Sequence, residues 1–230
     1  MFTGIVEARG TVEELEAKGS VRRVVFATEP SLALAVEGLP LGASIAVDGV
    51  CLTVTSRARG RFSADLGPET LARTTLGALA PGARVHLERP LKLGDALGGH
   101  LVSGHVDGVG HVVSRQPRGE ALELEIAAPA AVAPTLVAKG SITVDGVSLT
   151  VNAVRGEQFS VTLIPHTLAV THLGDKEVGA PVNLESDLIA RHIERLITAR
   201  ASSETQPPLA RRAETGGLTL ETLRKHGFAR

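Results

Sequence analysis

The sequence predicts an all-β fold, in which two homologous halves, each a β-barrel or β-sandwich, are followed by one C-terminal helix. Three observations predict it: an internal repeat, short alternating apolar and polar segments between turn residues, and one amphipathic stretch after the second half. The 230-residue chain is 43% hydrophobic and 21% charged, which is typical of a packed globular protein and not of a disordered one.

The repeat is strongest around one phrase, VDGVCLTVT at residues 47–55, which recurs as VDGVSLTVN at residues 144–152. Residues 42–88 align with residues 139–185 without a gap, with 24 identities in 47 positions. A solenoid needs at least three smaller units, so two units of this length indicate two barrels in tandem.

A second match lies ahead of this block, between FTGIVEARGTV at residues 2–12 and VSGHVDGVGHV at residues 102–112. Each half is therefore about a hundred residues long. We expect an N-terminal barrel over residues 1–98 and a C-terminal barrel over residues 99–187.

Within each half the residue pattern favours short strands. SIAVDGVCLTV alternates, is rich in Val, Ile and Thr, and contains an Asp-Gly pair that is typical of a tight turn. RVHLE and PVNLE repeat the two-residue period. The segments PETLARTTLG and PHTLAVTHLG, which begin at Pro68 and Pro165, are expected to form short helical turns.

The C-terminal segment has a different pattern. Over residues 188–200 the sequence predicts a helix with Asp187 as a possible N-cap and with one apolar face, formed by Ile189, Ile193, Leu196 and Ile197. A helix of this length is marginal alone in water, so its apolar face must dock on the barrels or on the same helix of a neighbouring subunit. Residues 201–230 are polar and contain adjacent prolines, and we expect a flexible tail.

Composition argues against several classes of function. The formal charge of −1 provides no overall field to attract nucleic acid or an acidic membrane surface. The longest charge-free apolar stretch, at residues 126–138, is too short and too rich in proline to span a bilayer. One cysteine cannot form an intramolecular disulfide, and the N-terminus lacks the pattern of a signal peptide, so we expect a cytoplasmic location.

Three motifs together carry a family resemblance: MFTGIVE at the start, GGHLVSGHVD at residues 98–107, and the doubled DGVxLTV. They resemble riboflavin synthase of the α-chain type, which is built from tandem lumazine-binding domains. The resemblance covers residues 1 to about 200. It implies two six-stranded Greek-key barrels, a homotrimer joined through its C-terminal helices, and active sites between the N-terminal barrel of one subunit and the C-terminal barrel of the next.

The resemblance also implies a reaction. Two molecules of 6,7-dimethyl-8-ribityllumazine in one active site exchange a four-carbon unit and give riboflavin and 5-amino-6-(ribitylamino)pyrimidinedione, without a cofactor or a metal. Two copies of one ligand need two similar pockets with opposite roles. The pockets are expected to differ where the repeat does, at Cys51 against Ser148, Ile5 against His105, and Phe2 against Val102. An association with lumazine synthase is a further possible partnership.

Candidate site residues follow from the family positions. The catalytic candidates are Cys51, as nucleophile or polarizable contact, His105, as the acid-base group, and Ser44, Thr150 and Asp187. The substrate-binding candidates are Phe2, Thr3, Gly4, Thr53, Thr70, His100, Lys139, Ser148, Ile164 and Thr167. Ordinary structural roles compete with these assignments: a buried apolar cysteine, histidines with structural hydrogen bonds, β-forming threonines, and Asp187 as a helix cap.

Other functions are less well supported by the residues. A single Cys cannot complete a structural zinc site, and His100 and His105 would point to opposite faces of one strand, so we expect no metal site. A cysteine protease using Cys51 and His105 would lack any recognisable local signature. The main alternative is a non-catalytic lumazine or flavin carrier of the antenna type. The chain retains SGH, DGVSLTV and both PxTL segments, which favours the enzyme over the carrier and over a purely structural double barrel.

Overall fold

The computed structural model describes residues 1–204 and 224–227, apart from the side chains of residues 34 and 201–204. Residues 1–192 form one compact unit, which contains both barrels, and a second unit begins at Ile193. The expectation of a flexible tail over residues 201–230 falls mostly outside the described residues.

The first half forms a closed antiparallel barrel of six strands within the described residues. The strands are β1 (Ala8–Lys18), β2 (Val21–Thr28), β3 (Ser44–Val47), β4 (Val50–Ala58), β5 (Arg61–Leu66) and β6 (Arg84–Glu88). Their order around the barrel is β1-β2-β5-β4-β3-β6. The consecutive strands β3, β4 and β5 therefore lie between β6 and β2, which is the Greek-key arrangement.

The second half repeats this barrel. Its strands are β7 (Gly108–Arg118), β8 (Ala121–Ala127), β9 (Ser141–Val144), β10 (Val147–Arg155), β11 (Gln158–Leu163) and β12 (Pro181–Ser186). Bulges interrupt β4 after Val54 and β10 after Val151, which are equivalent positions of the repeat. Because a bulge increases local twist, the repeated bulges help each sheet close on itself. The two-barrel prediction is confirmed, and the sandwich alternative is excluded.

Four helices accompany the barrels in the described part of the chain: α1 (Pro30–Glu37), α2 (Pro68–Arg73), α3 (Pro165–Val170) and α4 (Leu188–Glu204). The turns expected after Pro68 and Pro165 are α2 and α3, each with proline in its first turn, where a missing N–H costs nothing. The C-terminal helix is confirmed and runs four residues further than the expected residues 188–200. None of these helices combines the length and apolar character needed to cross a bilayer.

The sequence analysis did not predict α1. Its buried residues Leu32 and Val36, with Leu39 just beyond it, join the core of the first barrel. Their spacing of four and three residues is typical of a helix face, so a signal was present. The second half has only a short turn, Ala133–Thr135, at the corresponding place.

The two Asp-Gly turns of the repeat meet at the junction between the barrels. Asp48 and Gly49 have φ angles of 44° and 78°, and Asp145 and Gly146 have 46° and 79°, as expected for tight hairpin turns. A Cβ atom on Gly49 would lie 2.7 Å from the backbone nitrogen of Gly146, and one on Gly146 would lie 2.6 Å from that of Gly49. Both positions therefore require glycine, for conformation and for close approach.

Two pairs of hydrogen bonds cross this junction, and we call them the inter-barrel clamp. In one pair, His86 Nδ1 bonds the carbonyl of Asp145 at 2.9 Å, and the N–H of His172 donates to His86 Nε2 at 2.9 Å. In the other, Asn183 Nδ2 donates to the carbonyl of Asp48 at 2.9 Å, and the N–H of Thr75 donates to Asn183 Oδ1 at 2.8 Å. An imidazole on β6 thus makes the same bonds as a carboxamide on β12.

Candidate functional site

The outward face of the β3–β4 hairpin brings together three of the predicted site residues. Ser44 pairs with Thr53, and Ala46 pairs with Cys51. Because side chains alternate along a strand and the neighbouring residue Leu52 enters the barrel core, Cys51 and Thr53 lie on the opposite face. Thr53 is exposed and Cys51 half-buried, so this face offers a thiol and two hydroxyls outside the core.

The β9–β10 hairpin presents the matching face in the second barrel. Ser141 pairs with Thr150, and Thr143 pairs with Ser148. Ser148 therefore occupies the place of Cys51, as the repeat predicts. Ser141 was not among the predicted site residues, although its identity with Ser44 in the repeat was a sufficient signal.

Two short segments, residues 2–4 and residues 102–104, lie beside these faces and each contacts the other barrel; we call them the exchanged segments. Phe2 and Val102 form an isolated antiparallel bridge. The N–H of Phe2 donates to the carbonyl of Val102 at 2.7 Å, and the N–H of Val102 donates to the carbonyl of Phe2 at 3.1 Å. The N–H of Cys51 donates to the carbonyl of Gly104 at 2.8 Å, and the N–H of Ser148 donates to the carbonyl of Gly4 at 2.7 Å. Each barrel therefore completes its outward face with a segment of the other.

The exchanged segments fit closely against Cys51 and Ser148, which are aligned in the repeat. A Cβ atom on Gly104 would lie 2.6 Å from the Cβ of Cys51, and one on Gly4 would lie 2.7 Å from the Cβ of Ser148. Phe2 is fully buried and packs with Ala46, Val102 and Cys51. The predicted residues Phe2, Thr3 and Gly4 are thus brought to the junction between the two faces.

His100 belongs to the second of these faces. Its Nδ1 lies 2.7 Å from Ser148 Oγ, and its N–H donates to the carbonyl of Thr3 at 3.1 Å. Burial lowers the pKa of His100, and the nearby charge of Asp187 opposes this shift only partly. His100 is therefore a neutral imidazole at neutral pH. Its Nε2 is one of the buried side-chain atoms without a hydrogen-bond partner among the described residues.

His105 has a different environment. Its side chain is exposed, and its N–H donates to Ser103 Oγ at 3.2 Å. It lines an open cleft of about 410 Å³ together with Thr70, Arg73 and Asp107. The structure thus places His105 of the second barrel beside Thr70 of the first within one chain.

Asp187 caps the C-terminal helix and lies close enough to His100 to influence its charge. Its side chain accepts a hydrogen bond from the N–H of Ile189 at 2.8 Å, which caps α4. Its charge also acts on His100. The cap is therefore observed, and the catalytic role of Asp187 stays a prediction.

The remaining predicted residues lie around the second face. Lys139 is exposed in the turn before β9, with φ of 68°, and its N–H donates to the carbonyl of Val151 at 2.7 Å. Ile164 precedes α3 and is 55% exposed, and Thr167 lies within α3, at the place that Thr70 has in α2. No hydrogen bond or ion pair among the described residues joins these three residues to Ser148, so their role in the site stays a prediction.

A buried ionisable cluster at the barrel junction was not predicted. Asp48, His86 and His172 place possible metal-ligand atoms within 4.8 Å of one another. Both ring nitrogens of His86 already bond the backbone in the inter-barrel clamp, so this group is organised as a hydrogen-bonded junction and not as a metal site. The signal lay in the alignment of the repeat, where His86 aligns with Asn183 and His172 aligns with Thr75.

Burial dominates the ionisation of this cluster. It lowers the pKa of His86 to about 4 and that of His172 to about 2. Burial and the charge of Asp145 raise the pKa of Asp48 well above its usual value. Burial lowers the pKa of Lys176, but the Asp145 carboxylate at 2.8 Å has the larger effect, so the pKa of Lys176 is raised. The histidines are therefore neutral at neutral pH, and Lys176 supplies the cation.

Comparison with known proteins gives the family. The model of the lumazine binding domain matches residues 3–90 and 103–187. Riboflavin synthase of Photobacterium phosphoreum is 39% identical over 228 residues, covering 99% of both chains. The chain belongs to the riboflavin synthase family. Riboflavin synthase of Mycobacterium bovis is 49% identical over 201 residues, covering 86% of this chain and 98% of that protein.

Riboflavin synthase of Bacillus subtilis is 37% identical over 211 residues, covering 92% of this chain and 96% of that protein. The crystal structure of LumP complexed with riboflavin has the same fold, with a TM-score of 0.73 and 24% identity, covering 81% of this chain and 99% of LumP. The curated riboflavin synthases thus match nearly their full length, including both barrels.

Proposed function

We propose that this chain converts two molecules of 6,7-dimethyl-8-ribityllumazine into riboflavin and 5-amino-6-(ribitylamino)pyrimidinedione by transfer of a four-carbon unit. The observation that carries the proposal is the pair of equivalent polar faces that differ chemically, with Cys51 in one and Ser148 in the other. Equivalent faces suit two copies of one heterocycle, and their difference suits a donor and an acceptor.

The two faces offer the substrate mainly neutral groups. Hydroxyls of Ser44, Thr53 and Thr70 in the first barrel, and of Ser148, Thr150 and Thr167 in the second, match the hydroxyl-rich ribityl chain and the neutral pyrimidine edge. Lys139 supplies a cation beside the second face. With no Trp or Tyr in the chain, the two ring systems stack on each other and not on protein aromatics.

The reacting groups are assigned to the differing positions. The Cys51 thiol contacts or attacks an electrophilic ring carbon, and exposed His105 moves protons to and from the acidic methyl group of the pteridine ring. His100, neutral and bonded to Ser148, orients that hydroxyl. Holding two reactants in register can supply roughly 7 to 11 kcal/mol of the reduction in barrier.

The complete active site is proposed to lie between subunits of a homotrimer, with the N-terminal barrel of one subunit facing the C-terminal barrel of the next. In the single chain the candidate residues Thr53, His105, Thr150 and Ile164 are exposed, which leaves them free to face a neighbour. The apolar face of α4, including Ile193 and Leu196, is exposed as well and suits association of subunits. We expect the enzyme in the cytoplasm, and a contact with lumazine synthase stays a prediction.

The deciding experiment incubates the purified chain with 6,7-dimethyl-8-ribityllumazine alone, without added cofactor, and separates the products by chromatography. We expect riboflavin and the pyrimidinedione in equal amounts. Recovery of unchanged, tightly bound lumazine would identify a carrier and refute the enzyme.

A further inference from the structure

Two buried glutamates hold the exchanged segments in the same way. Glu88 Oε1 accepts the N–H of Thr3 at 2.6 Å and its hydroxyl at 2.8 Å, and Oε2 accepts the N–H of Gly4 at 3.1 Å. Glu185 Oε1 accepts the N–H of Ser103 at 2.8 Å and its hydroxyl at 2.6 Å, and Oε2 accepts the N–H of Gly104 at 3.0 Å. The two side chains belong to residues that are only 5% and 1% exposed.

These contacts favour an ionised carboxylate. In each case both oxygens accept a backbone N–H, and a carboxylate accepts such bonds more strongly than a carboxylic acid, whose O–H would have no acceptor among these donors. Burial raises the pKa of both glutamates, and the hydrogen bonds from Thr3 and Ser103 oppose that shift. A glutamine would present an NH₂ group to one of the donors, so it cannot reproduce the set.

Each carboxylate fixes a segment whose carbonyl groups accept hydrogen bonds from the other barrel. Glu185, the penultimate residue of β12 in the second barrel, fixes Gly104, whose carbonyl accepts the N–H of Cys51 in the first. Glu88 ends β6 of the first barrel and fixes Thr3 and Gly4, whose carbonyls accept the N–H groups of His100 and Ser148. The close approach of Gly104 to Cys51 and of Gly4 to Ser148 makes both contacts sensitive to small shifts.

We propose that Glu185 and Glu88 are positioning residues that act across the barrel junction: Glu185 sets the Cys51 face of the first barrel, and Glu88 sets the Ser148 face of the second. The consequence for turnover rests on the proposed function, whereas the crossed structural effect does not. Each glutamate is the matched control of the other.

The first test is hydrogen exchange of the ligand-free full chain, followed by mass spectrometry. In Glu185→Gln we expect exchange of the Cys51 amide to accelerate on the order of tenfold, since a buried hydrogen bond is weakened, while the Ser148 amide stays unchanged. In Glu88→Gln we expect the reverse. Acceleration confined to each variant's own barrel, or equal in both barrels, would overturn the proposal.

The second test uses the chain's one cysteine as a local reporter. Cys51 is half-buried against the exchanged segment, so we expect iodoacetamide to modify it several times faster in Glu185→Gln and at the wild-type rate in Glu88→Gln. General loss of stability would accelerate both variants alike and would contradict the proposal. If a glutamine variant does not fold, Ser103→Ala and Thr3→Val remove only the hydroxyl donor and should give the same crossed pattern at smaller size.

Turnover completes the test. Both glutamine variants should lower kcat with 6,7-dimethyl-8-ribityllumazine. A crossed exchange pattern with unchanged kcat and KM would overturn the positioning role. Absence of conversion by the wild type would refute the proposed reaction and leave the exchange and alkylation results standing.

Discussion

Cys51 gives the first face a thiol where the second face has the hydroxyl of Ser148. Its amide is fixed by Gly104, as the amide of Ser148 is fixed by Gly4, so the two side chains occupy equivalent places. Substitution by serine makes residues 47–54 identical to residues 144–151. A change in activity after this substitution therefore reports on the thiol itself and not on a change in shape.

Loss of Cys51 or His105 should affect turnover more than binding. For Cys51→Ser and His105→Ala we expect kcat to fall about 10²-fold, because a positioned reacting group is removed while the hydroxyl contacts remain. Steady-state turnover and fluorescence titration with lumazine measure the two effects separately.

His111→Ala is the control for His105, because His111 is an exposed histidine on β7 of the same barrel. It should retain wild-type kcat. Rates near wild type in both site variants would exclude these residues from the chemistry.

At the scale of elements, the clamp strands β6 and β12 perform one task with different residues. His86 bonds Asp145 and His172 in the way that Asn183 bonds Asp48 and Thr75. Only the unprotonated imidazole can accept the N–H of His172 while donating to Asp145. The two hydrogen bonds of His86 are therefore sensitive to acid, whereas those of Asn183 are not.

This difference predicts a pH dependence of stability. The pKa of His86 is about 4 in the fold and 6.5 in the unfolded chain, so unfolding takes up a proton between these values. The contribution of His86 is complete above about pH 6.5 and decreases as the pH falls toward 4, by about 3 kcal/mol in all. His86→Asn should keep both hydrogen bonds and lose this dependence.

Urea unfolding followed by circular dichroism at pH 7 and pH 4.5 measures the effect, since the chain lacks Trp and Tyr for fluorescence. The wild type should lose more stability than His86→Asn over this interval. Asp48 contributes with the opposite sign, because its pKa is raised, but it is present in both proteins. Parallel losses in the two proteins would contradict the assignment.

The elements that the sequence predicted are those encoded over a few neighbouring residues. The Asp-Gly turns, the proline-led helices α2 and α3, and the capped helix α4 all have local signals. The exchange of segments and the clamp depend on contacts such as His86 with Asp145, which are distant in sequence. Only the differences between repeat copies, such as His86 against Asn183, pointed toward them.

At the scale of the whole molecule, the exposed apolar face of α4 predicts association. Light scattering should give a mass of about 72 kDa, three times the 23.9 kDa of one chain. Ile193→Asp places a charge on this face and should shift the mass toward that of one chain. Because the proposed active site needs two subunits, specific activity should fall with the mass.

Arg195→Gln is the control, because Arg195 is an exposed polar residue of the same helix. It should preserve mass and activity. Full activity of a single chain of 23.9 kDa would contradict the shared site.

The close approach of Gly49 to Gly146 at the barrel junction has an evolutionary consequence. If two separate copies of one barrel met in the same way, every substitution would be present in both copies. A new side chain at this contact would then lie against the same side chain of the other copy. Joining the copies in one polypeptide removes that constraint, since each side then mutates alone. The present chain shows such differences: the imidazole of His86 aligns with the carboxamide of Asn183, and the thiol of Cys51 aligns with the hydroxyl of Ser148.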